Sequence, residues 1–309
     1  MATGPFWPDC DMTLTPTSPP EALVAAASAH PGVSEAGEWQ GLSGGRTNLL
    51  WQVGTGPDSI VVKLYRADGA TPLFPNDPAA EFVALTALAP DRLAPEPLAQ
   101  LSGTFGHAVI YRFLEGTAAV PDPAGLARLL SRVHERPLIA SLRTVPSGTQ
   151  QLLRQSDALA ALVPDALPRR FADLRQHLDR SEPVVSPDPK FLHADPVGAN
   201  VVATRHGPAL IDWQCPGTGD PCEDLAIVVS PSMRLAYPGG LRDEDIPAFL
   251  DAYPDPDVTR RYRKLAPVYH MRMAAYALWC DATGRGGGHA AVTLELDAAE
   301  AALSPIRTG

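Results

Sequence analysis

The stretch His193-Ala194-Asp195-Pro196-Val197-Gly198-Ala199-Asn200, followed by Ala209-Leu210-Ile211-Asp212-Trp213, decides how this chain is read. Reduced to its chemistry it is H-x-D-x-x-x-x-N and then an apolar run ending in Asp. Two short strands, 200–203 and 209–212, joined by a turn at His206-Gly207-Pro208, would bring Asn200 and Asp212 to the same end of a hairpin. Asp195 then lies on the loop just before that hairpin. Asp and Asn beside strands are also common turn formers and helix caps, so one of the three alone would carry no function. Together, at this spacing, they form a set.

Phosphoryl transfer needs such a set. The transferred group passes through a loose transition state with spread negative charge, so the protein must align an attacking oxygen and hold cations against phosphate oxygens. A carboxylate near the acceptor hydroxyl can orient it and take its proton, and Asp195 fits that role. A side-chain carbonyl and a carboxylate are hard oxygen ligands for Mg²⁺, and Asn200 and Asp212 fit that pair. His193 is assigned a structural role, supporting the loop by hydrogen bonding.

The segment resembles the catalytic loop of the aminoglycoside phosphotransferase and choline kinase-like family, which shares the protein-kinase fold. The family writes H-G-D-x-x-x-x-N and then a strand ending I-D-[FW]; here Ala194 stands where Gly is usual. Ile211-Asp212-Trp213, Gly219-Asp220-Pro221 and Asp224-Leu225-Ala226 resemble the family's I-D-W, G-D-P and D-L-A blocks. The resemblance implies that Asp220 and Asp224 brace the loop and cap the next helix. Gly44-Gly45-Arg46-Thr47-Asn48 resembles the G-G-x-x-N turn over the nucleotide phosphates, with Gly44, Gly45, Thr47 and Asn48 as nucleotide-binding positions. Glycines there would let backbone N–H groups approach phosphate oxygens, although a Gly-Gly turn alone also suits an ordinary hairpin.

Lys63 sits inside the apolar run 60–64, where an inward-facing Lys is costly unless paired. It is the candidate for the lysine that contacts the α- and β-phosphates, with Glu81 as its partner on the next helix. The alternative is that both face solvent. The resemblance further implies that backbone groups of Arg112, Phe113 and Leu114 meet the adenine edge, and that His134, in an L-x-x-L-H-like segment, packs a helix. It runs from about residue 41 to 226; beyond that the chain matches only in being helical.

Around this motif the pattern is β-rich, then α-rich. Residues 1–20, rich in Pro, Thr and Ser, suit an extended arm. Residues 21–30 suit a short Ala-rich helix. Strands are expected over 38–42, 47–53, 59–65, 97–102 and 107–113, interrupted by a helix over 78–89 that has Pro at its start. Helices are expected over 123–136, 150–162, 169–180, 244–253, 257–280 and 288–303. The expected fold is α+β and two-lobed: a small antiparallel nucleotide-binding lobe over 21–115, and a mostly helical lobe over 116–309 with the catalytic loop, metal site and acceptor pocket.

Composition excludes several alternatives. A net charge of −10 disfavours nucleic acid as a partner and is compatible with a cationic acceptor. Cys10, Cys215, Cys222 and Cys280 form no C-x-x-C pair, so free thiols in a reducing, cytoplasmic compartment are expected. No signal peptide is read at the N-terminus, and no apolar run approaches a membrane span. The expected activity is transfer of the γ-phosphate of ATP or GTP, with Mg²⁺, to a hydroxyl of a small molecule such as an amino alcohol, aminosugar or sugar. The alternative is a silent nucleotide-binding regulatory module, which would bind ATP without consuming it. A protein kinase is disfavoured because Gln214 follows Trp213 where a glycine is expected. Tyr269, Tyr276 and Trp279 suit either a packed core stripe, the preferred assignment, or an aromatic wall for a cationic ligand.

Overall fold

The computed structural model of the chain describes residues 18–30, 33, 38–42, 46–118, 122–237 and 239–303. Gly44, Gly45, Cys10 and most of the expected arm lie outside the described residues. Helix α1 (Glu21–Ser28) precedes strands β1 (Trp39–Leu42), β2 (Leu49–Val53) and β3 (Ile60–Leu64). Helix α2 (Pro78–Leu88) follows, then β4 (Pro97–Gly103) and β5 (Gly106–Arg112). The five strands form one antiparallel sheet in the order β1-β2-β3-β5-β4.

Period-two alternation assigns the two faces of this sheet. Trp51, Val53, Ile60, Val62, Leu64 and Ile110 pack on one face, where α1 covers them with Leu23 and Ala27. The opposite face carries Val61 and Tyr111 into the main core together with Ala84, Leu85 and Leu88 of α2. Leu50, Lys63 and Val109 are mutual cross-strand partners, so Lys63 points to that second face. Both faces of β3 are buried, as its Ile-Val-Val-Lys-Leu sequence requires. Asp77 starts α2 by accepting from the Ala79 and Ala80 N–H groups, and Pro78 takes the first helical position.

After Arg112 the chain turns helical. It runs through β6 (Thr117–Ala118), α3 (Pro123–His134), β7 (Arg143–Thr144), α4 (Gly148–Ala160), α5 (Arg169–Asp179) and β8 (Lys190–Leu192). Then come β9 (Val201–Thr204), β10 (Gly207–Leu210), β11 (Gly217–Gly219), α6 (Cys222–Val229), α7 (Pro231–Ala236), α8 (Ile246–Ala252), α9 (Pro256–Ala282) and α10 (Gly288–Leu303). The buried face of α9 runs from Val258 to Cys280 and anchors the core against α4, α6 and α10. The expected hairpin forms as β9 and β10, but with shifted bounds: Gly207 and Pro208, expected in the turn, open β10, the connection is Arg205-His206, and Asn200 and Asp212 lie just outside the strands. The strands pair antiparallel with Val201 opposite Leu210, and β6 pairs with the other edge of β9. No helix among the described residues is long and apolar enough to cross a membrane.

Candidate active site

Lys63 is the pivot of the cleft. Its Nζ lies 2.6 Å from Glu81 Oε2 and 2.6 Å from Asp212 Oδ1, and both Lys63 and Glu81 are about 1% exposed. The solvent-facing alternative for this pair is thereby removed. Burial would lower the Lys63 ammonium's pKa, but Asp212 and Glu81 outweigh it and hold it above its ordinary value. Burial pushes the Glu81 carboxyl up despite Lys63. Tyr65 adds a hydrogen bond from its hydroxyl to Glu81 Oε2. The sequence signal for Tyr65 was available: it stands two residues after Lys63, on the same face of the strand path.

The catalytic-type loop is held from behind. Asp224, fully buried in α6, accepts from the His193 N–H at 3.0 Å and the Ala194 N–H at 2.7 Å. His134 Nε2 lies 2.9 Å from the same carboxylate, and its Nδ1 lies 2.7 Å from the Tyr253 hydroxyl. His134 therefore does more than pack a helix: it links α3 and α8 to the loop brace. Asp224 braces the loop as expected but lies within α6 rather than capping it. Asp220 serves the start of that helix, accepting from Cys222 N–H at 3.1 Å while Arg261 grips both its oxygens. His193 Nδ1 accepts from Asp195 N–H at 3.2 Å, which leaves Nε2 to donate to Ile211 O at 3.0 Å. Burial, the largest influence, holds His193 below the usual imidazole pKa, consistent with that neutral tautomer. Ala194 and Asp212 both take left-handed φ values, +63° each. For Ala194 this explains why glycine is usual there, since a Cβ in that region costs roughly 1–2 kcal/mol.

The loop and hairpin bring Asp195, Asn200 and Asp212 together. Asn200 Nδ2 donates to Asp195 O at 2.9 Å, and Ile211 N–H donates to Asn200 O at 2.9 Å. Asp195 is 6% exposed, and its Oδ1 is buried with no hydrogen-bond partner among the described residues. Burial, then the Asp212 and Asp224 carboxylates, push the Asp195 carboxyl well up. Among the described residues no group of three or more His, Cys, Asp or Glu could hold a metal ion. Mg²⁺ usually takes only one or two protein oxygens and completes its shell with phosphates and water. Asn200, with Nδ2 engaged and Oδ1 free, and Asp212, whose Oδ2 has no protein partner among the described residues, fit that pattern.

The nucleotide side is partly described. Thr47 borders the cavity at Asp195, beside Arg46. Asn48, 2% exposed, has its side chain fully engaged: Nδ2 donates to Asn76 Oδ1 and Gln214 Oε1, both at 2.8 Å, and Oδ1 accepts from Arg66 N–H at 3.1 Å. Asn48 thus joins the turn to the segment after Trp213 instead of pointing a free amide at a ligand. Gln214, at the position where a protein kinase has glycine, is the other half of that link. Of the three positions expected to meet the base, Arg112 N–H donates to Glu96 O and Phe113 N–H to Ser59 O. Only the Leu114 N–H lacks a backbone partner among the described residues.

A cavity open to solvent has Asp195 in its wall. Around it stand Phe74 and Tyr276, ring to edge at 5.2 Å, and Tyr237. Tyr269 is buried in the core, as a packed stripe requires, while Tyr276 borders the cavity and Trp279 stacks on Tyr276 at 5.9 Å.

Comparison with known proteins agrees with this geometry. A sequence model described as the phosphotransferase enzyme family (APH) matches residues 38–264. No curated protein matches the chain in sequence. Among solved structures, a choline/ethanolamine kinase family protein from Mesorhizobium loti is similar at a TM-score of 0.68 and 17% identity, covering 93% of this chain and 95% of that one. Choline kinase from Cryptosporidium parvum Iowa II gives 0.63 and 13%, covering 91% and 94%. Spectinomycin phosphotransferase APH(9)-Ia, solved with ADP and spectinomycin, gives 0.55 and 14%, covering 92% and 94%. At these identities the structural likeness establishes the fold, protein kinase-like with an antiparallel sheet followed by a helical part.

Proposed function

This chain belongs to the phosphotransferase enzyme family, and from that premise we propose that it moves the γ-phosphate of ATP or GTP, with Mg²⁺, to a hydroxyl of a small molecule in the cytoplasm. The observation that carries the proposal is Asp195 Oδ1: a buried carboxyl oxygen without a hydrogen-bond partner among the described residues, on a cavity wall and beside Asn200 and Asp212. In the proposed assignment, nucleotide is held by residues 21–115 and metal and acceptor by residues 116–309. Gly44, Gly45 and Thr47 would approach the phosphates, and Asn48 would position that turn through Gln214. The Leu114 N–H would meet the base.

Asn200 Oδ1 and Asp212 would hold Mg²⁺, which when bound neutralises charge on the phosphate oxygens. Lys63, oriented by Glu81 and Tyr65, would swing its ammonium from Asp212 toward the α- and β-phosphates. Asp195 would orient the acceptor hydroxyl and accept its proton as the oxygen bonds to phosphorus. Positive charge beside Asp212 would draw the Asp195 carboxyl back toward its ionised form, since Asp212 is one of the groups that raises it. His193, locked as a neutral donor to Ile211 O, would keep the two halves of the site in register.

The test is a screen for ADP release from ATP, and GDP release from GTP, over amino alcohols, sugars, aminosugars and hydroxy acids. Acceptor-dependent release, abolished by chelating Mg²⁺, is expected. Nucleotide binding without consumption across the whole panel would point to the silent regulatory module instead.

A further inference from the structure

The cavity at Asp195 is basic in an acidic protein. The chain carries a net charge of −10. Yet Arg46 and Arg285 border this cavity, and Asp195 is the one acidic residue among the described residues that line it. Both guanidiniums are half-buried on aromatic rings. Arg46 lies 5.0 Å from the Tyr237 ring centroid and Arg285 lies 5.4 Å from that of Trp279. Neither pairs with a carboxylate among the described residues. Arg285 donates to the Asp68 backbone carbonyl at 2.8 Å, while the Asp68 carboxylate is engaged by Arg66 at 2.6 Å. Stacking on a ring fixes a guanidinium's plane and leaves its N–H edge for an in-plane acceptor.

The two cations have separate origins. Arg46 follows Gly44-Gly45 in sequence, at the positions proposed to approach the phosphates, so nucleotide charge alone could account for it. Arg285 comes from the α9–α10 connection, on the acceptor side of the cavity. A polycationic acceptor would meet these guanidiniums with a single carboxylate to offset them, an arrangement that costs affinity through like-charge juxtaposition. An anion on the acceptor would meet the forked geometry that suits a carboxylate or phosphate.

We propose that the acceptor is a hydroxyl compound bearing a carboxylate or phosphate, with its hydroxyl at Asp195 and its anionic group on Arg285. The proposal rests on the phosphotransferase assignment above and departs from the cationic acceptor that net charge alone suggested. Small and uncharged wall residues near Arg285, among them Gly286, Gly287 and Ala291, leave room for the anion to approach the guanidinium edge.

The test uses the full chain and two matched probe sets. One set is glucuronate, glucose 6-phosphate, glucose and glucosamine; the other is glycerate, glycerol 3-phosphate, glycerol and ethanolamine. Phosphoryl transfer and calorimetric binding in the presence of MgADP are both read. The expected result is binding or transfer at least tenfold stronger for anionic members, with glucuronate against glucose 6-phosphate, and glycerate against glycerol 3-phosphate, distinguishing carboxylate from phosphate. R285Q should raise KM or Kd for the anionic member at least tenfold, with KM for ATP changing less than twofold. R285K should restore part of that loss, which separates lost charge from a disturbed loop. Preference for glucosamine or ethanolamine, anionic members no better than neutral ones, or an unaltered preference in R285Q would each overturn the proposal. If the chain failed to bind MgATP at all, the phosphotransferase assignment itself would fail, a separate and distinguishable result.

Discussion

The Lys63 ammonium lies 2.6 Å from Asp212 Oδ1, a single ion pair that joins β3 to the second residue beyond the β9–β10 hairpin. It couples the sheet-bearing part of the chain to the proposed metal ligand. Glu81, at the same distance on the other side, is the buried partner that would remain to the lysine once it leaves Asp212.

Replacing Lys63 should therefore damage both folding and function. K63M would leave Glu81 buried without its counter-charge, and breaking such a pair costs about 3–5 kcal/mol. K63M/E81Q should recover part of that loss, giving a measurable coupling in a double-mutant cycle by chemical denaturation. Strict additivity of the two single variants would mean that the pair is not energetically linked. Turnover should be crippled in K63M even where the protein remains folded.

Gly198 lies within the H-x-D-x-x-x-x-N loop and is fixed by close approach, not by φ. A Cβ there would come within 2.2 Å of Gly239 O. The obstacle is backbone, so the loop or the segment after α7 must move. G198A should lower stability by on the order of 1–3 kcal/mol, as overpacking does, and slow turnover by displacing Asp195 or Asn200. A variant with unchanged melting temperature and rate would show that the two segments are less tightly apposed.

The C-terminal helix is held by a buried carboxylate with a definite pH signature. Glu295 of α10 accepts from the Ser232 N–H at 3.0 Å and the Ser230 and Ser232 hydroxyls through Oε1, and from His270 Nδ1 at 2.7 Å through Oε2. Burial alone would raise this carboxyl, but the hydrogen bonds and the field of His270 outweigh it and hold it below the ordinary value. A depressed carboxyl stabilises the fold above its unfolded pKa, about 4.3, and that stabilisation is lost as pH falls through the lower folded value. E295Q should cost about 1.5–3 kcal/mol at pH 7, the scale of hydrogen bonds to a charged group. The difference from wild type should shrink below about pH 4.3. Denaturant unfolding at pH 7 and pH 4 reads both, and a difference that grew on acidification would contradict the assignment.

Where the sequence was informative, a physical pattern reported it. The five main strands and α2 follow from β-branched runs broken by Gly, Pro and Asp, and the existence of the β9–β10 hairpin follows from an apolar run ending in Asp212, but its register does not: Gly207 and Pro208 suggested the turn and instead sit in β10. The pairing of Lys63 with Glu81 was readable because a lysine inside Ile-Val-Val-Lys-Leu demands a buried carboxylate. Helix α6 escaped separate prediction because every residue of Cys222–Val229 is buried, so no polar face gives it a helical period. Strands β6, β7 and β11 have two or three residues, too few for alternation to register. The link from Asn48 through Gln214 spans 166 residues, and the His134–Asp224–Tyr253 network joins three helices; neither leaves a local pattern. The charge of the acceptor cavity was hidden for a similar reason. Net charge averages over the whole surface, while Arg46 and Arg285 meet only after folding.

The central claim is a division of labour: Asp195 acts on the acceptor hydroxyl, and Asp212 holds the metal. Calorimetric titration of ATP with and without Mg²⁺, paired with turnover, tests it on wild type, D195N and D212N. D195N should keep its Mg²⁺-dependent ATP affinity while losing roughly two to four orders of magnitude in turnover, and D212N should lose the Mg²⁺-dependent increment in affinity. Near-normal turnover in D195N, or an unchanged Mg²⁺ increment in D212N, would contradict it.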